Sequence, residues 1–122
     1  MKCSPIPVLS YGRFSQFIHK NAAKKRVPIG GGFEPTFRCN LRCVHCYAFC
    51  KVNEKQPELS FQEICRIFDE IADEGCLWLL ITGGEPLVRK DFLDIYTYAK
   101  KKGFIITVFT NGTLITREVI NC

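Results

Sequence analysis

Cys39, Cys43 and Cys46 fall within eight positions of one another, as Cys-x3-Cys-x2-Cys, and are three of the chain's eight cysteines. Thiolates are soft anionic ligands, and three from one short loop can grip a single metal centre without long-range folding. A structural zinc site normally takes four ligands, commonly as two separated pairs, and this chain has only one Cys-x2-Cys pair. His45 sits inside that pair, where it would strain a closed tetrahedron; Cys50 is the better fourth candidate, extending the run to Cys-x3-Cys-x2-Cys-x3-Cys. Iron–sulfur runs also draw their thiolates from a short stretch, with other spacings. Disulfide scaffolds spread their cysteines between loops of a core-poor chain, whereas here Cys3, Cys65, Cys76 and Cys122 are scattered around one tight cluster.

A second chemical feature is Gly83-Gly84-Glu85-Pro86, directly after an apolar run. Two glycines let backbone groups approach a ligand closely, and Glu85 adds an acceptor suited to an ammonium group. Alone the tetrapeptide is a turn. Its weight comes from following the cysteine loop by one strand–helix unit, since ligands in parallel α/β folds sit beyond the carboxyl ends of the strands.

The elements that must position these residues are legible. Residues 27–32, with Pro28 and three glycines, read as a turn-rich link, and residues 33–38 as extended, with Pro35 suiting an edge strand. The cysteines then occupy a loop around which a short helix is expected to begin. Ser60 and Glu63 form a capping box opening a helix to about residue 74, closed by Gly75, with Phe61, Ile64, Phe68 and Ile71 on one face. Residues 76–82 read as a strand buried on both faces. Asp91 is placed to cap a second helix bearing Phe92, Ile95, Tyr96 and Ala99 and ending at Gly103. Residues 104–110 supply a third strand, Asn111-Gly112 a turn, and Thr116 the cap of a last helix. Strand, helix, strand, helix, strand is the grammar of parallel βαβ units, an α/β fold.

Composition excludes several classes. The 122 residues allow one domain, and 47% hydrophobic with 24% charged residues suits a globular chain. The longest wholly apolar run, residues 76–81, cannot span a bilayer. Pro5, Pro7 and Ser10 interrupt any hydrophobic leader, so the expected compartment is the reducing cytoplasm, where clustered thiols mean metal. The net charge of +5 belongs to residues 1–32, which carry six basic side chains and no acid. That basic extension reads as a solvated amphipathic helix over residues 15–26, with Tyr11, Phe14 and Phe17 packed on the body, rather than as a nucleic-acid contact.

Taken together, Cys39-Asn-Leu-Arg-Cys43-Val-His-Cys46-Tyr47, Thr82-Gly-Gly-Glu-Pro86 and Thr110-Asn-Gly112 resemble the radical S-adenosylmethionine (SAM) superfamily. The flavour is that of members with a SPASM-type extension, which modify peptides or cofactor precursors. The resemblance covers residues 33–122. It implies that Cys39, Cys43 and Cys46 each ligate one iron of a [4Fe–4S] cluster, whose open fourth iron chelates SAM. Gly83, Gly84 and Glu85 would hold the methionine amino group, His45 and Tyr47 would shape the adenine pocket, and Asn111 would contact cofactor or substrate. The implied reaction is reductive cleavage of SAM to a 5′-deoxyadenosyl radical that abstracts hydrogen from a peptide or small molecule. An electron donor of flavodoxin or ferredoxin type follows, and no residue is assigned acid–base catalysis.

Length sets the departure from the family. A partial (β/α)6 barrel of TIM type needs roughly 190 residues, and residues 33–122 hold three strands, so the expectation is the first half of such a barrel, marginal alone. Two alternatives stand beside this: a small iron–sulfur or zinc module without SAM chemistry, and an inactive half-barrel that needs a partner chain.

Overall fold

The computed structural model describes residues 10–48 and 57–122. Cys3 and Cys50 lie outside them. Three parallel strands, β1 (Gly30–Phe33), β2 (Trp78–Ile81) and β3 (Ile105–Val108), form one sheet in the order β1-β2-β3. The register sets Gly30 and Ile105 beside Trp78, and Phe33 and Val108 beside Ile81. Helices α2 (Phe61–Asp73) and α3 (Phe92–Lys101) make the two crossovers, preceded by α1 (Tyr11–Lys25) and followed by the short α4 (Arg117–Asn121).

Local chemistry explains the boundaries. Ser60 Oγ accepts from the Glu63 amide while Glu63 Oε2 accepts from the Ser60 amide at 2.8 Å, so the expected capping box opens α2. Gly75 then leaves the helix at φ +93°. Thr116 caps α4 by accepting from the Val119 amide. The apolar faces of α2 and α3 meet one face of the sheet. Ile64, Phe68, Leu79, Ile81, Phe92, Ile95, Ala99 and Phe104 form the core, with Phe68 edge-on to both Phe33 and Phe104.

Three expectations need correction. β1 begins at Gly30, inside the stretch read as a turn, and ends at Phe33 before Pro35. Its ladder to β2 is backbone alone, starting where the Ile29 carbonyl accepts from the Trp78 amide at 2.9 Å, so side chains are not needed to form it. β2 is buried at Leu79 and Ile81 but only half-buried at Trp78 and Leu80, so it is covered on one face rather than two. Asp91 stands at the start of α3 but makes no capping bond; its carboxylate is taken by Arg89. Around the cysteines, the described residues 39–48 form turns, and the stretch in which a short helix is expected to begin runs on into residues 49–56, outside the described ones.

The basic helix α1 starts at Tyr11, capped by Ser10, earlier than its apolar spacing implied. It docks at the start of β2, where Trp78 Nε1 donates to Tyr11 Oη at 3.1 Å and the His19 ring stacks on Trp78. Phe14 joins that contact, whereas Phe17 is exposed. No described helix is long and apolar enough to cross a membrane.

Gly31 needs no positive φ, and a Cβ there meets nothing within 4 Å. Gly31→Thr should therefore raise stability by about 0.5–1 kcal/mol, since glycine wastes backbone entropy in a strand and a β-branched residue suits it. A urea denaturation midpoint that falls would contradict this.

Candidate functional site

The chain beyond β1 does not leave the sheet at once. Residues 36–38 run beside the Gly-Gly-Glu-Pro loop, with the Gly84 amide donating to the Thr36 carbonyl at 2.9 Å and the Glu85 amide to the Arg38 carbonyl at 2.8 Å. The two glycines are what permit this. A Cβ on Gly83, which has φ +120°, would stand 2.4 Å from the Thr36 oxygen, and one on Gly84 would stand 2.1 Å from the Arg38 oxygen. The close approach is thus made by this chain's own backbone, and it delivers Cys39 to the carboxyl end of the sheet.

There a cleft of about 410 Å³ opens. Cys39, Cys43 and Cys46 line it, together with His45 and Tyr47 from the same loop, Gly83 and Gly84 from the loop after β2, and Phe109 to Asn111 from the end of β3. Cys39 and Cys43 are free thiols, Cys43 exposed and Cys39 half-buried. The Cys46 amide donates to the Cys43 carbonyl, and Cys39 Sγ accepts from the Leu41 amide at 3.4 Å. Tyr47 Oη and Thr82 Oγ1 are hydrogen-bonded at 2.5 Å, tying the far end of the loop to β2.

Asn111 is a bracket as much as a contact. Its Nδ2 donates to Asn40 Oδ1 at 2.9 Å and lies 3.9 Å from Cys39 Sγ, while its Oδ1 accepts from both the amide and the hydroxyl of Thr113. Glu85 does not line the cleft. It is fully buried, with Oε1 accepting from the Leu87 amide and the Thr110 hydroxyl and Oε2 from the Asn111 amide at 2.7 Å. Three donors from within the chain engage its carboxylate, so Glu85 joins two strand-end loops and stands behind the cleft edge at which an ammonium group was expected to meet it.

Sequence reasoning missed a polar network behind the cysteine loop. Glu58 accepts from Thr36 Oγ1 and takes both Nε and Nη2 of Arg38, at 2.8 and 2.9 Å. Arg89 reaches the same carboxylate at 3.7 Å and pairs bidentately with Asp91. The guanidinium of Arg38 holds the Glu58 carboxyl below the usual carboxylate range, and that of Arg89 does the same for Asp91. The signal in the sequence was the Arg-x-Asp pair just past the Gly-Gly-Glu-Pro turn. Cys65 and Cys76 lie away from the cleft, and burial pushes both thiols up, as for small hydrophobes rather than ligands.

Among the described residues, no group of three His, Cys, Asp or Glu side chains converges to hold one metal ion.

The family model described as the Radical SAM superfamily matches residues 33–121. The chain is 41% identical over 118 residues to Fe-coproporphyrin III synthase of Methanosarcina barkeri, covering 94% of this chain and 29% of that protein. It is 38% identical over 96 residues to the antilisterial bacteriocin subtilosin biosynthesis protein AlbA of Bacillus subtilis, covering 75% and 20%. Among solved structures, Streptococcus suis SuiB bound to S-adenosylmethionine matches with a TM-score of 0.69 at 24% identity, over 95% of this chain and 29% of that one. SuiB bound to its precursor peptide SuiA matches equally, with a TM-score of 0.69 at 22% identity over 99% and 29%. At such identities the likeness is one of fold. The chain spans 20–29% of the length of these two curated relatives.

Proposed function

The chain belongs to the radical SAM superfamily, and from that premise we propose that Cys39, Cys43 and Cys46 hold a [4Fe–4S] cluster while the Gly83–Gly84 edge of the same cleft receives SAM. The observation that carries this is the shared cleft: three cysteines from one loop line it together with Gly83 and Gly84 from another, around about 410 Å³. When bound, the cluster supplies the electron that opens the sulfonium of SAM, and the outcome is hydrogen abstraction from a substrate.

The chain's own residues orient and enclose. The amides of Gly84 and Glu85 are taken by Thr36 and Arg38, and the Glu85 carboxyl is engaged behind the cleft, so the carbonyl oxygens of Gly83 and Gly84 are the acceptors this loop offers an amino group. His45 and Tyr47 wall the cleft on the cysteine side, and Phe109 on the side of β3. Asn111 steadies the start of the cysteine loop through Asn40. Residues 33–122 make the first part of a partial (β/α)6 barrel, with residues 1–32 as a basic extension. The substrate is a peptide or a small cofactor precursor, in keeping with the bacteriocin and porphyrin named in the relatives, and reduction comes from a flavodoxin- or ferredoxin-type donor.

Anaerobic reconstitution with ferrous iron and sulfide tests this. Wild type should take up about four iron atoms per chain and gain a broad iron–sulfide absorption, and added SAM should change the spectrum of the reduced cluster. Cys43→Ala should lose that absorption. Binding of one zinc ion with no response to SAM would replace this function with the zinc-module alternative.

A further inference from the structure

We propose that Arg89 is the positioning residue of this site: its guanidinium clamps both roots of the cysteine loop to the segment after the Gly-Gly-Glu-Pro turn, and so sets the thiols against the Gly83–Gly84 edge. This rests on the cluster-and-SAM function above. The Arg89 side chain is 5% exposed and lines no part of the cleft, so it acts through the loop and not on a ligand. Its Nη1 donates to the Pro35 carbonyl and its Nη2 to the Leu59 carbonyl, each at 3.0 Å. Pro35 stands before all three cysteines and Leu59 after them, so two distant points of the chain end on one planar group.

The remaining contacts fix that group in turn. Asp91 accepts from Nε at 2.9 Å and from Nη2 at 2.7 Å, locking the fork's plane. Glu58, beside Leu59, faces Nη1 and carries Arg38 and Thr36 on its other side. Arg38 directly precedes Cys39 and its carbonyl pairs with the Glu85 amide. The path from Arg89 to the first thiol is therefore continuous: guanidinium, Glu58, Arg38, Cys39. No buried side-chain N or O among the described residues lacks a partner, so the network is complete as it stands.

Stability alone does not account for such an arrangement. A buried ion pair contributes little net stability relative to apolar residues of similar volume, because desolvation offsets most of the attraction. What a guanidinium supplies is direction: five N–H donors in a rigid fork, which a lysine ammonium cannot reproduce across two carbonyls and a carboxylate.

The test uses Arg89→Lys and Arg89→Met in the full chain, loaded with iron and sulfide beside wild type. Both are compared at a temperature where circular dichroism shows them folded, and the readout is the SAM concentration that half-saturates the spectral change of the reduced cluster. That concentration should rise by about tenfold or more in both variants, with lysine no better than methionine although it keeps the charge. An Arg89→Lys chain within about twofold of wild type would overturn the proposal. Should both variants fail to fold, Glu58→Gln decides: about threefold weaker half-saturation is expected, and an unchanged value overturns the proposal. A wild-type chain that takes up no iron, or does not respond to SAM, defeats the functional premise instead, and is told apart because the variants are then not needed.

Discussion

Gly84→Ala should leave a chain that loads no cluster and denatures at a markedly lower urea concentration, while Gly31→Ala, the same chemical change in β1, stays near wild type. The difference is what the new methyl meets. At Gly84 it would lie 2.1 Å from the Arg38 oxygen, 2.6 Å from the Arg38 carbonyl carbon and 2.8 Å from the Phe37 carbonyl carbon. All three are backbone atoms, and the hydrogen bonds from Gly84 to Thr36 and from Glu85 to Arg38 fix that backbone at its present distance. Relief requires breaking both bonds and moving the segment that leads into Cys39. Overpacking against backbone costs on the order of 3 kcal/mol, at the upper end of single-residue effects, a large share of the roughly 5–15 kcal/mol that holds an ordinary domain together. At Gly31 nothing lies within 4 Å. Denaturation midpoints and iron content for the pair, measured side by side, check this; a Gly84→Ala chain matching Gly31→Ala in both would show that the two backbones are not in the contact described.

The contrast between those glycines also shows where the sequence speaks and where it does not. Periodicity gave α2, α3 and the two strands after them, and the capping box gave the start of α2, because Ser60, Glu63 and the Phe61–Ile64–Phe68 face act locally, within a turn or two of helix. β1 was hidden because Gly30, Gly31 and Gly32 carry no side-chain pattern, and their strand exists only through a backbone ladder to residues almost fifty positions away. The cleft residues were legible by type and spacing: the three cysteines, Gly83, Gly84, His45, Tyr47 and Asn111 do share one cavity. What stayed illegible was the direction each side chain takes. Glu85 reads as a ligand when seen beside two glycines, and becomes an internal fastener once Thr110 and Asn111 arrive from β3. Arg89 and Glu58 drew no reading, since nothing local announces that Pro35 and Leu59 will present their carbonyls to one guanidinium. Long-range polar satisfaction is a property of the fold, and single-residue reasoning has no access to it.

That same logic ranks the substitutions at Glu85. Its carboxyl group takes three donors, the Leu87 amide at 3.0 Å, the Thr110 hydroxyl at 2.8 Å and the Asn111 amide at 2.7 Å, with the side chain fully buried. Glutamine has the right shape but one acceptor fewer. If its NH2 replaces Oε2, it confronts the Asn111 amide, donor against donor; if it replaces Oε1, it confronts the Leu87 amide, and only the Thr110 hydroxyl can turn to accept. Either way one buried amide loses its partner, at about 1–3 kcal/mol. Leucine fills the volume and strands all three donors, so Glu85→Leu should cost more than Glu85→Gln, by on the order of 2 kcal/mol. The site should feel this through Asn111, whose amide is held by Glu85 and whose side chain holds Asn40 beside Cys39. Hydrogen exchange reads it directly: the Asn111 amide should be protected in wild type, faster in Glu85→Gln and faster again in Glu85→Leu, in step with falling urea midpoints. Equal protection in all three chains would mean that Glu85 does not carry the junction between the two loops, and that the end of β3 is positioned by the sheet alone.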